Sequence, residues 1–139
     1  MRTILIAGVA ALVAASATPA RLSAQQATLD YDYFKANVQP IFLKKRPGHA
    51  RCIACHATGT PLRLQPLDPG ATTWSEEESQ KNFNVVKRVA SAGPKSRLIL
   101  HPLAENAGGD FYHSGGKHWN SMDDPEWKVL QAFVQGARQ

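Results

Sequence analysis

The sequence predicts a small all-α domain of three or more helices over residues 25–139. Three segments carry apolar residues at the spacing of one helix face, and each is bounded by residues that favour helix ends. No segment shows the alternation of apolar and polar residues that is typical of a half-buried strand. The two longest connections, residues 57–73 and 101–122, are rich in proline or glycine and predict long irregular loops.

The first predicted helix begins after a polar lead at residues 25–30. Its apolar residues follow the helical repeat and share one face. They are Tyr31, Phe34, Val38, Ile41 and Phe42. Pro40 lacks an N–H donor and disfavours helical geometry at the residue before it, so we expect the helix to kink or stop there. The basic run at residues 44–48 then predicts an exposed turn.

The second predicted helix runs from about Glu76 to Ala90. Ser75, with Glu78 three residues later, has the capping-box pattern at its start, and Gly93 with the proline after it ends it. The apolar face of this helix holds Phe83, Val86 and Val89.

The third predicted helix starts at Pro125, with Asp124 as its cap, and ends before Gly136. Its buried face is expected to hold Trp127, Leu130, Phe133 and Val134. Between the second and third helices, residues 96–100 form a short apolar element that is either a helical turn or an extended piece.

Residues 1–24 have the pattern of a secretory signal peptide, with Arg2, an apolar stretch and small residues before Ala24. The apolar stretch is shorter than the roughly 18–20 residues that a membrane span needs, so we expect cleavage after Ala24 and no membrane span afterwards, with an uncleaved N-terminal anchor as the alternative. This predicts a periplasmic or secreted protein. Losing Arg2 and Arg21 lowers the basic count from 16 to 14, against 11 acidic residues. The basic residues are scattered, which argues against nucleic-acid binding.

Cys52 and Cys55 are the two cysteines of the chain, and His56 follows directly. Two thiols at this spacing can form thioethers with the two vinyl groups of one porphyrin, while the adjacent histidine ligates the iron. We therefore expect one covalent haem c with His56 as proximal ligand, its other N–H donated to the carbonyl of Pro61 or Pro66. A disulfide or thiol-redox pair and half of a zinc site are the competing interpretations.

The haem motif, preceded by Asn37–Phe42, resembles a class I cytochrome c domain. The closer resemblance is to the small secreted haem domains of planctomycete and acidobacteria type, in which Pro-Ile-Phe leads to the motif. The later matching residues are Leu98–Leu100, His113–Gly116, Trp119 and Asp124–Val134. The resemblance implies an all-α domain wrapped around one covalent haem and an electron-transfer role with redox partner proteins.

The second axial ligand decides both the potential and the chemistry of a haem. His113 is the first candidate, because the glycines at 115 and 116 would let the backbone pass close to the porphyrin. Met122 is the second candidate, since it stands just before the last predicted helix. His101 is the third, although its apolar neighbours suit a buried structural histidine equally well.

With two protein ligands on the iron there is no substrate site, so we expect a periplasmic c-type cytochrome that transfers single electrons and is not an enzyme. Such a protein acts as a soluble carrier or as a subunit of a redox complex. An open sixth position would instead indicate a peroxidase-like haem enzyme or a haem-based sensor of small ligands.

Overall fold

The computed structural model describes residues 27–139, and the predicted signal peptide at residues 1–24 lies outside this part of the chain. The described residues form five helices joined by loops, with two further single turns of 3₁₀ helix at Gly93–Lys95 and Glu105–Ala107. Within residues 27–139 there is no β-strand, which agrees with the predicted all-α class. No helix in this range is both long enough and apolar enough to cross a membrane.

Helix α1 covers residues 31–43 and changes its winding along the way. An α-helical turn at Tyr31–Tyr33 leads into a π-helical segment, Phe34–Val38, and α-helix resumes at Gln39–Leu43. The helix therefore neither stops nor breaks at Pro40. In the π segment the Gln39 N–H donates five residues back, to the Phe34 carbonyl, and the wider turn relieves the clash that proline causes in a regular helix.

Helix α2, Cys52–His56, is one turn long, and helix α3 spans Glu76–Val89. The predicted capping box of α3 is confirmed, because the Ser75 hydroxyl accepts from the Glu78 N–H while the Glu78 carboxylate accepts from the Ser75 N–H. Phe83 and Val86 are buried as predicted, whereas Val89 is only partly buried.

Helix α4, Arg97–Leu100, is the short apolar element, which is therefore helical. Helix α5 spans Pro125–Val134, and the Asp124 carboxylate caps it by accepting from the first backbone N–H groups. All four residues of its predicted apolar face are buried. The Trp127 indole N–H donates to the Ile99 carbonyl at 3.0 Å, which fastens α5 to α4.

Aromatic side chains join α1, α3 and α5 at the centre of the core. The Phe34 ring lies 5.4 Å from the Phe83 ring and 6.1 Å from the Phe133 ring, measured between centroids. Phe34 and Phe133 are fully buried and Phe83 is nearly so. Aromatic contacts at these distances stabilise a core beyond the area that they bury.

The turn at residues 44–48 differs from the prediction, because Arg46 is 8% exposed and faces inward. Its guanidinium forms an ion pair with Glu126 of α5 and donates to the Ile41 carbonyl at 3.2 Å. It also stacks over the Trp119 ring at 5.4 Å. A basic run in a sequence is typical of a solvated surface, and this prediction was wrong for Arg46 because a carboxylate and an indole meet it inside the fold.

Backbone hydrogen bonds join the two ends of the glycine-rich loop, residues 101–122. The Ala104 N–H donates to the Trp119 carbonyl and the His118 N–H donates to the Pro102 carbonyl, both at 2.8 Å. Gly109 lies directly against the chain that starts the loop, since a Cβ built on it would stand 2.0 Å from the Leu103 carbonyl oxygen. The two ends of the loop therefore run side by side, and its middle faces α2.

Candidate functional site

A cleft lies between α2, α4 and the glycine-rich loop. α2 and the segment after it line the cleft, together with residues 113–115 and 118–119 of the loop. Apolar side chains from several elements form the floor, among them Phe42, Val89, Leu98 and Leu130. The cleft thus brings the cysteine motif and the loop of candidate ligands to one place.

Cys52 and Cys55 both line this cleft as free thiols. Cys52 is partly buried and Cys55 is exposed. Burial raises the pKa of the Cys52 thiol, although the positive charge of Arg46 opposes the shift. The two thiols do not form a disulfide in this structure, so both sulfur atoms remain available for other chemistry.

His56 is oriented by the segment that follows α2. Its Nδ1 lies 3.0 Å from the Leu62 carbonyl oxygen and 3.0 Å from the Thr60 hydroxyl. A carbonyl can only accept, so Nδ1 carries the proton and Nε2 keeps its lone pair. The sequence predicted a carbonyl partner from Pro61 or Pro66, and that choice was wrong because the turn after His56 brings the Leu62 carbonyl to the ring instead.

His113 faces His56 across the cleft and is oriented in the same way. Its Nδ1 donates to the Gly116 carbonyl at 2.6 Å, which again leaves Nε2 free. The two imidazole rings are 6.1 Å apart between centroids and inclined by 24°. Gly115 makes room for the His113 ring, since a Cβ there would stand 3.3 Å from its Cε1 atom.

Burial lowers the pKa of both His56 and His113 below the usual histidine value, although the hydrogen bond that each ring donates to a backbone carbonyl opposes the shift. These shifts favour the neutral form of both imidazoles. A neutral imidazole with a free Nε2 and a tethered Nδ1–H is the form that ligates a transition metal.

His101 also lines the cleft, but both of its ring nitrogens are engaged. Nδ1 lies 2.8 Å from the Asp110 carboxylate and Nε2 lies 2.8 Å from an Arg97 Nη2 donor. Its ring is 5.1 Å from the His113 ring between centroids. This arrangement holds His101 beside His113 rather than freeing a nitrogen toward the cleft.

Met122 is not among the residues that line the cleft, and it is 43% exposed. Its methyl group packs next to Gly108, where a Cβ would stand 3.2 Å away. Of the three candidates for the second axial ligand, the structure brings His113 and His101 to the cleft and leaves Met122 on the surface.

All five histidines of the chain lie in one cluster around this cleft. His118 is 6.0 Å from His113 between ring centroids, and His49 is 4.6 Å from His118. Burial lowers the pKa of His118 to about 4, so its ring is neutral above that pH. In residues 27–139 no three His, Cys, Asp or Glu side chains are placed to hold a metal ion by themselves.

Two buried nitrogen atoms beside the cleft have no hydrogen-bond partner within the described residues, namely Nε1 of Trp119 and Nδ1 of His118. Trp119 is 3% exposed, so its indole N–H has lost water without gaining an acceptor. Such an orphaned donor is costly unless another group supplies an acceptor. Arg51 and Arg97 add positive charge to the lining, which contains no carboxylate from the described residues.

Sequence reasoning missed two parts of the site. Leu62 orients His56 through its backbone carbonyl, and no side-chain pattern predicts which backbone oxygen will accept a hydrogen bond from a histidine. Arg46 stands behind Cys52, with Nη1 3.9 Å from its Sγ. The one available signal was the closeness of Arg46 to the cysteine motif in the chain.

No protein-family model matches the chain, and no curated protein or solved structure is significantly similar to it. What the site does is therefore inferred from its own residues and their geometry.

Proposed function

We propose that this protein is a c-type cytochrome that transfers single electrons, with one haem c held in the cleft. Cys52 and Cys55 would attach it through thioethers, and His56 and His113 would hold its iron. The observation that carries the proposal is the pair of facing imidazoles, each with Nδ1 on a backbone carbonyl and Nε2 free, beside two free thiols.

The helical turn of α2 suits covalent attachment. Its two thiols are three residues apart and both line the cleft, and His56 follows on the same turn. When bound, haem supplies an iron that accepts and returns one electron. Covalent bonds from Cys52 and Cys55 would keep it in place even in a domain this small.

The separation of His56 and His113 fits two ligands on one iron. Two imidazoles on opposite sides of a first-row metal, each with a metal–nitrogen bond of about 2 Å, have ring centroids roughly 6 Å apart. The observed separation is 6.1 Å. His101 is a weaker candidate, because using its Nε2 would break the hydrogen bond from Arg97.

The remaining lining also suits a porphyrin with two carboxylate arms. Apolar side chains from α1, α3, α4 and α5 would cover the ring. The orphaned indole N–H of Trp119 and the cation Arg51 would be available to its carboxylates. These groups orient and hold the cofactor, and none of them is needed for bond-making on a substrate.

The choice between a carrier and an enzyme depends on His113. With both imidazoles holding the iron, no position would be left for peroxide or a gas, which favours electron transfer as a soluble carrier or as a subunit of a redox complex. The predicted leader would place this activity in the periplasm or outside the cell, since the thioether bonds of haem c are formed there.

Absorption and EPR spectra of the purified protein, in both oxidation states, test the proposal. We expect a six-coordinate low-spin iron with two nitrogen ligands that is unaffected by cyanide or carbon monoxide and titrates reversibly with one electron. A five-coordinate iron that binds these ligands would instead support a peroxidase-like enzyme or a small-ligand sensor. Protein without haem, made in a host that matures c-type cytochromes, would overturn the proposal altogether.

A further inference from the structure

A partly buried ion pair lies directly behind the wall of the cleft. Arg46 and Glu126 are joined in two ways, through the guanidinium Nη2 and through Nε, the latter at 2.8 Å. The side chain of Arg46 is 9% exposed and that of Glu126 is 21% exposed. Neither charge is therefore well screened by water, in contrast to the surface ion pairs of the chain.

Arg46 is the member of the pair that touches the cleft wall. Its Nη1 lies 3.9 Å from the Cys52 sulfur, and its guanidinium stacks over Trp119 at 5.4 Å. Both Cys52 and Trp119 line the cleft. Glu126 lies on the far side of Arg46, and Lys44 donates to it at 2.7 Å from a largely exposed position.

We propose that the Arg46–Glu126 pair tunes the reduction potential of the haem electrostatically. Arg46 raises the potential, and Glu126 partly offsets that increase. The proposal rests on the haem site proposed above. Reduction adds one negative charge at the iron, so a nearby buried cation stabilises the reduced state and a nearby buried anion destabilises it.

If the role is electrostatic, removing the charge of Arg46 and removing the charge of Glu126 should shift the reduction potential in opposite directions. A purely structural role would not give opposite shifts. Without Arg46, the Glu126 carboxylate would keep only the largely exposed Lys44 as its cation, and the potential should fall. Without the charge of Glu126, Arg46 and Lys44 would remain, and the potential should rise. A loss of packing at either residue would admit water to the same wall and shift both variants in the same direction.

The experiment is a redox titration of the haem-loaded protein and its variants, with an electrode supplying the electron. We expect Glu126→Gln to raise the midpoint potential and Arg46→Gln to lower it. Each shift should be about tenfold in the equilibrium constant for reduction, which is about 59 mV for a one-electron couple. The double variant should return close to the parent value, because it removes both charges.

Arg46→Lys keeps the positive charge but loses the planar guanidinium group, so it should leave the potential near the parent value. If Arg46→Gln does not accumulate as folded protein, the potentials of Arg46→Lys and Glu126→Gln still test the proposal. Glu76→Gln is the matched control, because Glu76 forms an exposed ion pair with Lys35 at 2.5 Å. It should leave the potential unchanged.

Equal potentials for parent, Glu126→Gln and Arg46→Lys, or shifts of the same sign in Glu126→Gln and Arg46→Gln, would overturn this proposal while the haem site stands. A parent protein that binds no haem would overturn the proposed function instead, and the absorption spectrum recorded before each titration distinguishes the two results.

Discussion

His113 is the residue on which the proposed chemistry depends most closely. Its ring is held by the Gly116 carbonyl, given room by Gly115, and placed 6.1 Å from the His56 ring. Each of these contacts orients Nε2 without occupying it. In the proposed haem site, the same side chain would separate a closed electron-transfer iron from one that is open to ligands.

Replacing His113 by alanine should open the sixth position of the iron. We expect His113→Ala to lose the low-spin spectrum of the parent and to bind cyanide at least tenfold more tightly, about 1.4 kcal/mol. Cyanide titration followed by absorption measures this. His49→Ala is the matched control, because His49 belongs to the same histidine cluster but does not line the cleft. An unchanged spectrum in His113→Ala would assign the second axial ligand to another residue.

At the residue scale, the sequence was informative wherever a side chain carries the chemistry. The cysteine motif and the glycines after His113 pointed to the cleft, and the structure brings these segments together. The carbonyl that orients His56 was missed, because the backbone path of residues 57–62 is not encoded in a periodic pattern. Arg46 was misplaced on the surface because its partner Glu126 lies 80 positions away in the chain.

Among the elements, the three long helices could be predicted because their apolar spacing and caps are local signals. Ser75 and Asp124 cap α3 and α5 as expected. The course of α1 through Pro40 could not be predicted, since a π segment depends on how a whole turn is packed. The glycine-rich loop was predicted to be long and irregular, but its fold depends on contacts between its two ends that no periodicity reveals.

Gly109 fixes the path of this loop. In Gly109→Ala the new Cβ would stand 2.0 Å from the Leu103 carbonyl oxygen, so the backbone must move. We expect a loss of about 2–4 kcal/mol in the free energy of unfolding, measured by chemical denaturation.

Gly70→Ala is the control for Gly109→Ala. Gly70 has a φ of +83°, and among the described residues no heavy atom lies within 4 Å of the point that its new Cβ would occupy. It should therefore cost only the about 1–2 kcal/mol of a left-handed backbone. Equal losses in the two variants would show that the close approach at Leu103 does not constrain the loop.

At the scale of the whole molecule, the Arg46–Glu126 pair connects the first helix and its following turn to the last helix. Glu126→Gln should destabilise the protein by roughly 2 kcal/mol, below the roughly 3–5 kcal/mol of a fully buried pair, because Glu126 keeps some exposure. Glu76→Gln should cost much less, since its carboxylate is on the surface. Thermal or chemical unfolding of both variants at neutral pH measures the difference.

The same pair predicts a pH dependence. Burial would raise the pKa of Glu126, but hydrogen bonds from Lys44 and Arg46 outweigh it and hold the pKa below the ordinary value of 4.5. A carboxylate with a lowered folded pKa contributes stability above its unfolded pKa and loses it as the pH falls through the folded value. The stability difference between parent and Glu126→Gln should therefore be constant above about pH 5 and shrink below pH 4.5. A difference that grows on acidification would contradict the assigned charge.

Covalent attachment of haem is the central claim, and the intact mass of the denatured protein tests it most directly. The protein is made in a host that matures c-type cytochromes, beside the variant Cys52→Ser/Cys55→Ser. We expect the parent to carry the mass of one haem and to keep it through denaturation, and the variant to carry none. A parent at the mass of the polypeptide alone, or a double variant that still keeps haem through denaturation, would contradict the account.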